Sequence, residues 1–600
     1  MALKLAQRGG TQITAPQDNN ASFVGLEYRT PERNAFNLSK QTHGSLQFGK
    51  IYPVYSRMVF PGDTFKIKES HFLRFAAVIS PILNKINITT MAFYVPFRLV
   101  WKYWPTFITG GYNNDGVLTD ELGNMIDKNG YPTTTPFAPQ PPTFNALDKP
   151  NGVDDVPYSG AVIDGGLGDW LGFPTFEAEA DFIDARENEL ENMRPLFSNM
   201  TMLPFMCYQK VVNDWLTNNN IVDSSRDKSL PPSSVYGLVP YDDTLGEFAE
   251  LAYINYGLDY FTSCLPRLQR GDALTLNSTD DQITFDNTGD QWVFKKGRNE
   301  APGEPNLMSI AGALHTTPLN AVTPQEEVNL NVVDTLKLQY HTTIQELRFL
   351  NAMQRWQEKS LRVGTRYIDF LKCYFGVKSS DRSLQRSEFI GASVDAVVKN
   401  DIDQTSETTQ SGTPLGTVAS KLIGVGSSKS FDCYCEEHGM IFVMAVVTPE
   451  TIYKNRMRTE WLYKDKFDFL FPEFTHLSPQ AVKNAELYVP RDVKGFASYN
   501  GLANFGYQDR FNELRCDTND VHGDFKNSLS FFLQMRNFNA TPRLNTNFLK
   551  ADDIDTSIFA TDTIQDAQGV KHKVDHIWAS FNFDVKAIRP LPKLATPSLI

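Results

Sequence analysis

The chain has 600 residues, and its apolar fraction of 41%, with 42 Phe and 23 Tyr, excludes a wholly disordered polypeptide. With 57 basic against 70 acidic residues the net charge is −13, which excludes a protein that is basic over its whole surface, so any contact with nucleic acid has to be a local patch. Six cysteines in this length are too few for a disulfide framework and fit a reducing cytoplasm.

The opening MALKLAQRGGTQ lacks the apolar core of a signal peptide, and no window approaches 18 uninterrupted apolar residues. Residues 1–45 are polar and without a sustained period, so they are expected to form an N-terminal arm, with 46–600 as a single decorated domain. From Leu46 to Trp101 the text is that of strands: IYPVYSRMVF, a PGDT turn at 61–64, FKIKES, then INITTMAFYVPFRLVW. In that last run Ile86, Ile88, Thr90, Ala92 and Tyr94 alternate onto one face.

Residues 110–200 hold GGYNNDG, a Pro-rich run from Tyr131 to Pro150, and GGLGDWLGFP, and are read as a loop-dominated insertion. Helical spacing returns at Phe205, Tyr208, Val212 and Trp215, and again at Leu347, Leu350, Met353 and Trp356 within 336–375. Residues 275–333 form a second irregular block. Residues 401–430, mostly small and polar, are expected to be an exposed connection. The run MIFVMAVV, Met440 to Val447, is apolar at every position, as in a strand covered on both faces. No repeat of fixed period is present. Several loops of this length are hard to place in a compact monomer, and contact with neighbouring subunits would order them.

Constellations with catalytic or metal-binding chemistry are weak. Glu436, Glu437 and His438 are the one tight acid and imidazole cluster, yet on a strand only Glu436 and His438 would share a face, and no third ligand follows. His572 and His576 have metal spacing only on a helix, and KHKVDHIWASFNF reads as strand. Cys433 and Cys435 fall on one face of a strand, with no second pair to complete a zinc site, and are read as buried thiols. The glycines at 165–172 and 424–426 make neither a complete phosphate loop nor a dinucleotide fingerprint, and no nucleophile elbow is present.

Several longer strings are more specific. VFPGDTFKI (59–67), FLRFAAVISPILNKIN (72–87), FYVPFRLVWKYWPTFITGG (93–111), GDWLGFP (168–174) and LPFMCYQKVVNDW (203–215) come first. DYFTSCLPRLQRGDALTL (259–276), WQEKSLRVGTRYIDFLKCYFGVKSSDRSLQRSEFIG (356–391), EEHGMIFVMAVVTPETIY (436–453), FPEFTHLSPQAV (471–482), FGYQDRFNELR (505–515) and RPLP (589–592) follow. In this order the strings resemble the major capsid proteins of microviruses, in particular the gokushovirus-like branch. One departure is that Arg267 and Leu268 stand where that family usually has tryptophan and proline after Leu-Pro, which marks a divergent branch.

The resemblance implies a mainly β protein, an eight-stranded antiparallel jelly roll with large loop and helix insertions near 110–200, 275–333 and 401–430. Copies would build a small T=1 icosahedral shell around circular single-stranded DNA, with no catalytic centre, cofactor or metal. The implied partners are further copies of the chain, the packaged DNA, minor virion proteins (a DNA pilot, and small DNA-binding or scaffolding proteins) and a host surface receptor. The implied location is the virion, assembled in the bacterial cytoplasm. Trp101, Tyr103, Trp104 and Phe107 are then either subunit-interface anchors or a plain core cluster. Arg348, Arg355, Arg362 and Arg366 are either DNA contacts, together with the arm, or residues that hold subunit contacts or cap carboxylates. The blocks 110–200 and 275–333 are the candidates for the outward, host-contacting face. A jelly-roll carbohydrate-binding protein or glycoside hydrolase would share the strand texture, and a trimeric tail or spike protein is a second rival, but neither needs the collinear strings.

Overall fold

The structure is a computed structural model that describes residues 32–78, 82–109, 163–176, 200–218, 250–269, 386–403, 418–491 and 499–593 with short gaps, plus isolated elements between and before them. Contacts divide the chain into two units, 1–267 with 364–600, and 268–363.

The first unit is built on two antiparallel sheets. The strands of these two sheets in chain order are β1 (Asn34–Asn37), β2 (Lys40–Leu46), β3 (Tyr52–Val59), β4 (Thr64–Phe75), β5 (Ile86–Pro96), β6 (Glu388–Ala396), β7 (Val398–Asp403), β8 (Val418–Ser427), β9 (Phe431–Tyr434), β10 (Gly439–Pro449) and β11 (Ile577–Arg589). One sheet has four strands in the order β6-β5-β10-β3. The other has seven, β7-β8-β4-β11-β1, with β9 also paired to β4 and β2 to β11.

The strand patterns explain which sheet is which. In β10 all residues but Thr448 are buried, because one face meets the opposite sheet and the other is covered by helical segments. Those segments are α1 (Trp104–Thr109), α2 (Leu167–Leu171) and α3 (Leu203–Val211), the last continued by a π-turn at Val212–Leu216. Tyr208 of α3 donates its hydroxyl hydrogen to Ile51 O at 2.8 Å and accepts from Ala252 N at 3.1 Å, so this buried phenol is satisfied twice. Trp170 of α2 lies edge-on to Tyr52 at 5.1 Å, over Gly44 of β2, where any Cβ would overlap the indole.

In β4 and β11 burial alternates. Phe65, Ile67, Leu73 and Phe75 of β4 and Ile577, Phe581, Phe583 and Val585 of β11 point into the sandwich, where Tyr55 of the opposite sheet meets Phe583 at 5.1 Å between ring centroids. The inward row of β4 is interrupted by two polar residues. Glu69 is fully buried and its Oε1 lies 2.9 Å from His71 Nδ1, while Asp395 of β6 stands 3.8 Å from His71 Nε2. Gly426 of β8 is required there, since a Cβ would come within 2.7 Å of both His71 Nε2 and Asp395 Oδ2. A smaller core in the same unit gathers Tyr260, Phe261, Tyr453, Phe505 and Phe548, and beside it Arg536, 3% exposed, lies 4.2 Å from the Tyr256 ring and 3.1 Å from Asp553.

The second unit has a four-stranded antiparallel meander, Gln291–Phe294, Asn306–Ile310, Ala313–Thr317 and Glu326–Glu327, and a 20-residue helix α4 (Ile344–Val363).

Three expectations are corrected. Residues 34–45, taken with the arm because they are polar, are sheet: β1 and β2 pair with β11, and their polarity reflects an outward face that needs no apolar residues. The block 275–333 contains a sheet, and the connection 401–430 contains the end of β7 and all of β8, and the small residues of β8 fit close packing against β4. Most of 1–31, most of 110–200 and residues 404–417 lie outside the described residues. The strand at 86–96, the doubly covered strand at 440–447 and the two helices are where the periodicity puts them.

Candidate assembly and nucleic-acid surfaces

The four aromatic residues selected by sequence do come together. Trp101 is 6.2 Å from Trp104, 5.5 Å from Phe107 and 6.4 Å from Tyr103, and Trp104 also meets Phe97 at 4.7 Å. Trp101 and Tyr103 are buried within the subunit, whereas Trp104 and Phe107 are half-buried at its edge. The cluster is therefore part of the subunit's own core, with surface left for a neighbour only at Trp104 and Phe107.

The acid and imidazole cluster is a turn, not a strand, between β9 and β10. Glu437 takes a bidentate pair from Arg98, at 2.9 Å from Nε and 2.8 Å from Nη2, and its carbonyl accepts from the Tyr94 hydroxyl at 2.8 Å. His438 packs against Phe60 and Trp104, and burial pushes its imidazole below the ordinary value, with Glu437 opposing. Glu437 and His438 are thus engaged in fixing the turn, and Glu436 is exposed. His576 is buried and stacked on Phe559 at 4.3 Å, and His572 lies on a separate short strand, Lys571–Lys573. Cys433 and Cys435 are both buried, with sulfurs 3.9 Å apart. Among the described residues no three His, Cys, Asp or Glu side chains form a group that could hold a metal ion.

Of the four arginines, Arg348 and Arg355 are exposed on α4, seven residues apart and so on the same side of the helix. Arg362 lies in its last turn. Arg366 is outside the described residues.

The surface that sequence reasoning missed is the open face of the seven-stranded sheet. Lys66, Lys68, Phe72 and Arg74 project from β4, and Trp578, Asp584, Lys586 and Ile588 from β11, all exposed. Register pairs Lys66 with Lys586, Lys68 with Asp584 and Arg74 with Trp578, where the guanidinium stands 5.9 Å from the indole ring. Asp432 of β9 is the nearest counter-charge, 3.9 Å from Lys66. The signal was available in the period-2 alternation of FKIKESHFLRF, whose outward positions are three cations, a serine and a phenylalanine.

Comparison with known proteins agrees with the strings quoted above. The chain is 26% identical to the capsid protein VP1 of Chlamydia phage 1 over 96% of its length and 97% of that protein. It is 26% identical to the capsid protein VP1 of Spiroplasma virus 4, over 94% and 95%, and 25% identical to that of Bdellovibrio phage phiMH2K, over 97% and 98%. The profile of the family described as "Capsid protein (F protein)" matches residues 27–162 and 197–599. The chain belongs to this microvirus capsid protein family, and it is a structural subunit of a phage virion, not an enzyme.

Proposed function

We propose that the sandwich is a jelly roll whose copies close into a T=1 shell around single-stranded DNA. The observation that carries the fold reading is the path of the chain. Counting β1 with β2 and β8 with β9 as one strand each, and leaving β7 aside, eight strands remain. They alternate between the sheets, except that β5 and β6 are consecutive in the four-stranded one. That gives the interleaved orders β6-β5-β10-β3 and β8-β4-β11-β1, the arrangement of a double Greek key. Closure into a shell requires unlike patches on each subunit for two-fold, three-fold and five-fold contacts. Electron microscopy of the purified full chain tests it: round particles of one diameter are expected, and discrete monomers or elongated trimers would reject the reading.

In this reading the open face of the seven-stranded sheet looks toward the DNA. Cations that neutralise backbone phosphates, set among exposed rings on which bases stack, are what non-specific single-strand binding needs, and Lys66, Lys68, Arg74 and Lys586 beside Phe72 and Trp578 offer both. In gel retardation at stepped salt, each lost phosphate contact reduces the salt slope by about 0.7 for a single strand. The triple variant K66A/K68A/R74A should therefore lower it by about 2. An unchanged slope would move the contact to α4 and the arm, for which R348A/R355A is the corresponding variant. The separate compact unit 268–363 supports the reading of its insertion as the host-contacting protrusion; its deletion should leave shells that assemble but do not attach to cells. Pilot, DNA-binding and scaffolding proteins complete the proposed set of partners.

A further inference from the structure

The segment from Met457 to Leu477, in the connection between β10 and β11, inverts ordinary surface chemistry. It runs as three short 3₁₀ turns, Thr459–Leu462, Lys466–Asp468 and Pro472–Phe474, none with a buried residue. A few of its polar groups hold it to the subunit. Thr459 Oγ1 donates to Glu486 at 2.6 Å, Tyr463 to Glu513 at 2.7 Å, and Arg510 Nη2 to the Phe467 carbonyl at 2.7 Å. Asp468 caps the middle turn by accepting from the backbone N–H groups of Lys464 and Asp465 at 2.8 and 2.9 Å. Its apolar groups face outward. Trp461, Phe467, Phe469, Leu470, Phe471 and Leu477 are between 41% and 72% exposed.

These side chains form linked groups: Phe467 and Phe471 both lean on Phe474, at 5.6 and 6.0 Å, and Tyr463 meets Phe469 at 5.3 Å. With large side chains offering on the order of 150–250 Å² each, the six exposed ones present roughly 650 Å² of apolar surface. Summed over these groups, it approaches the roughly 800 Å² that one partner contributes to a standard protein interface. A cleft of about 340 Å³ opens beside Trp461, lined by Met457, Val489 and Val521 together with charged residues that include Arg456, Arg458 and Asp520.

We infer that this strap is a contact between copies of the chain, its rings seated on a neighbouring subunit in the shell. The inference rests on the assembly reading above and adds the surface that performs it. A second copy is the occupant the observations favour, because the apolar area approaches one side of a durable interface and the exposed charges of the segment, Arg458, Lys464 and Lys466 against Glu460, Asp465 and Glu473, are balanced in sign.

The test uses the full chain with F469S/F471S and, separately, W461A, and L258S as a control at an 84% exposed leucine elsewhere. Sedimentation across a concentration series reads assembly, and thermal melting reads the unassembled subunit. The strap variants are expected to melt as the wild type does and to need at least tenfold higher concentration to assemble, with L258S unchanged. Strap variants that assemble at the wild-type concentration would overturn the inference while leaving the shell reading intact, and a wild type that stays monomeric would overturn both. A lowered melting point of the variant subunit would show the strap to be internal packing and overturn it. So would normal particles that fail only to attach to cells, which would assign the strap to a host surface. If the variants disrupt open oligomers instead of round particles, the strap contact stands and the closed shell falls.

Discussion

The two sheets of the sandwich present the same kind of inner face and opposite kinds of outer face. In the four-stranded sheet the two central strands, β5 and β10, are buried on both parities over most of their length, whereas in the seven-stranded sheet only one parity is, and β4 and β11 carry cations, amides and single rings on the other. The difference teaches where the molecule holds its own stability and where it has surface to spend on something else. A face dressed by the subunit's own helices is committed; an open face is available to DNA or a neighbour.

The largest expected effects come from crossing that divide residue by residue. In β10, truncating adjacent residues should cost stability at both positions, about 2–5 kcal/mol for Ile441→Ala and about 3–5 kcal/mol for Phe442→Ala. In β11, Phe581→Ala should cost about 3–5 kcal/mol while its neighbour Asn582→Ala stays within about 0.5 kcal/mol. Urea denaturation of the unassembled subunit measures all four, and a large loss at Asn582 would mean that the second face is covered too.

A middle-sized effect sharpens the contrast through the backbone. Gly439 begins β10 where a Cβ would overlap the Val95 carbonyl oxygen of β5, so Gly439→Ala must push two central strands apart, at about 1–3 kcal/mol. The same denaturation assay would detect it, and a neutral result would show that this edge of the sheet has room.

The smallest effect lies outside both sheets, in the strap, which is held by capping and hydrogen bonds. Backbone N–H groups of Asp465 and Lys464 hold the Asp468 carboxyl below its ordinary value of 3.8. A carboxyl depressed in the folded state contributes stability that is present above its unfolded value and lost as pH falls through the folded one. Hydrogen exchange should therefore show strap amides losing protection below about pH 4 while β5 and β10 stay protected. Equal loss in strap and sheets would contradict a locally held strap.

The parts of this fold legible in sequence were those whose environment is uniform along the chain. Met440–Val447 announces a strand buried on both faces because every residue meets apolar atoms, and Phe205, Tyr208, Val212 and Trp215 announce a helix because one stripe meets the sheet. Residues 34–45 were not legible as sheet, since their strands are added at an edge and hold their place by backbone pairing with β11, which leaves little trace in side-chain polarity. Gly424 and Gly426 look like loop punctuation and are strand residues, one packed on Leu73 and the other on His71 and Asp395. For the surfaces, the fourfold aromatic cluster at 101–107 was found and half of it proved internal, because ring density alone does not say which side of the boundary a ring occupies. The strap shows the converse, a run of rings that stand in the open.

One feature of the topology bears on how a cell makes such a protein. The strand β11, last of the sandwich in chain order, lies in the middle of its sheet, between β4 and the pair β1 and β2. During translation the early strands leave the ribosome with an empty slot between them, and the sheet cannot be finished until β11 has emerged. The open face, which β4 and β11 share, would then acquire its final shape only once β11 has been added.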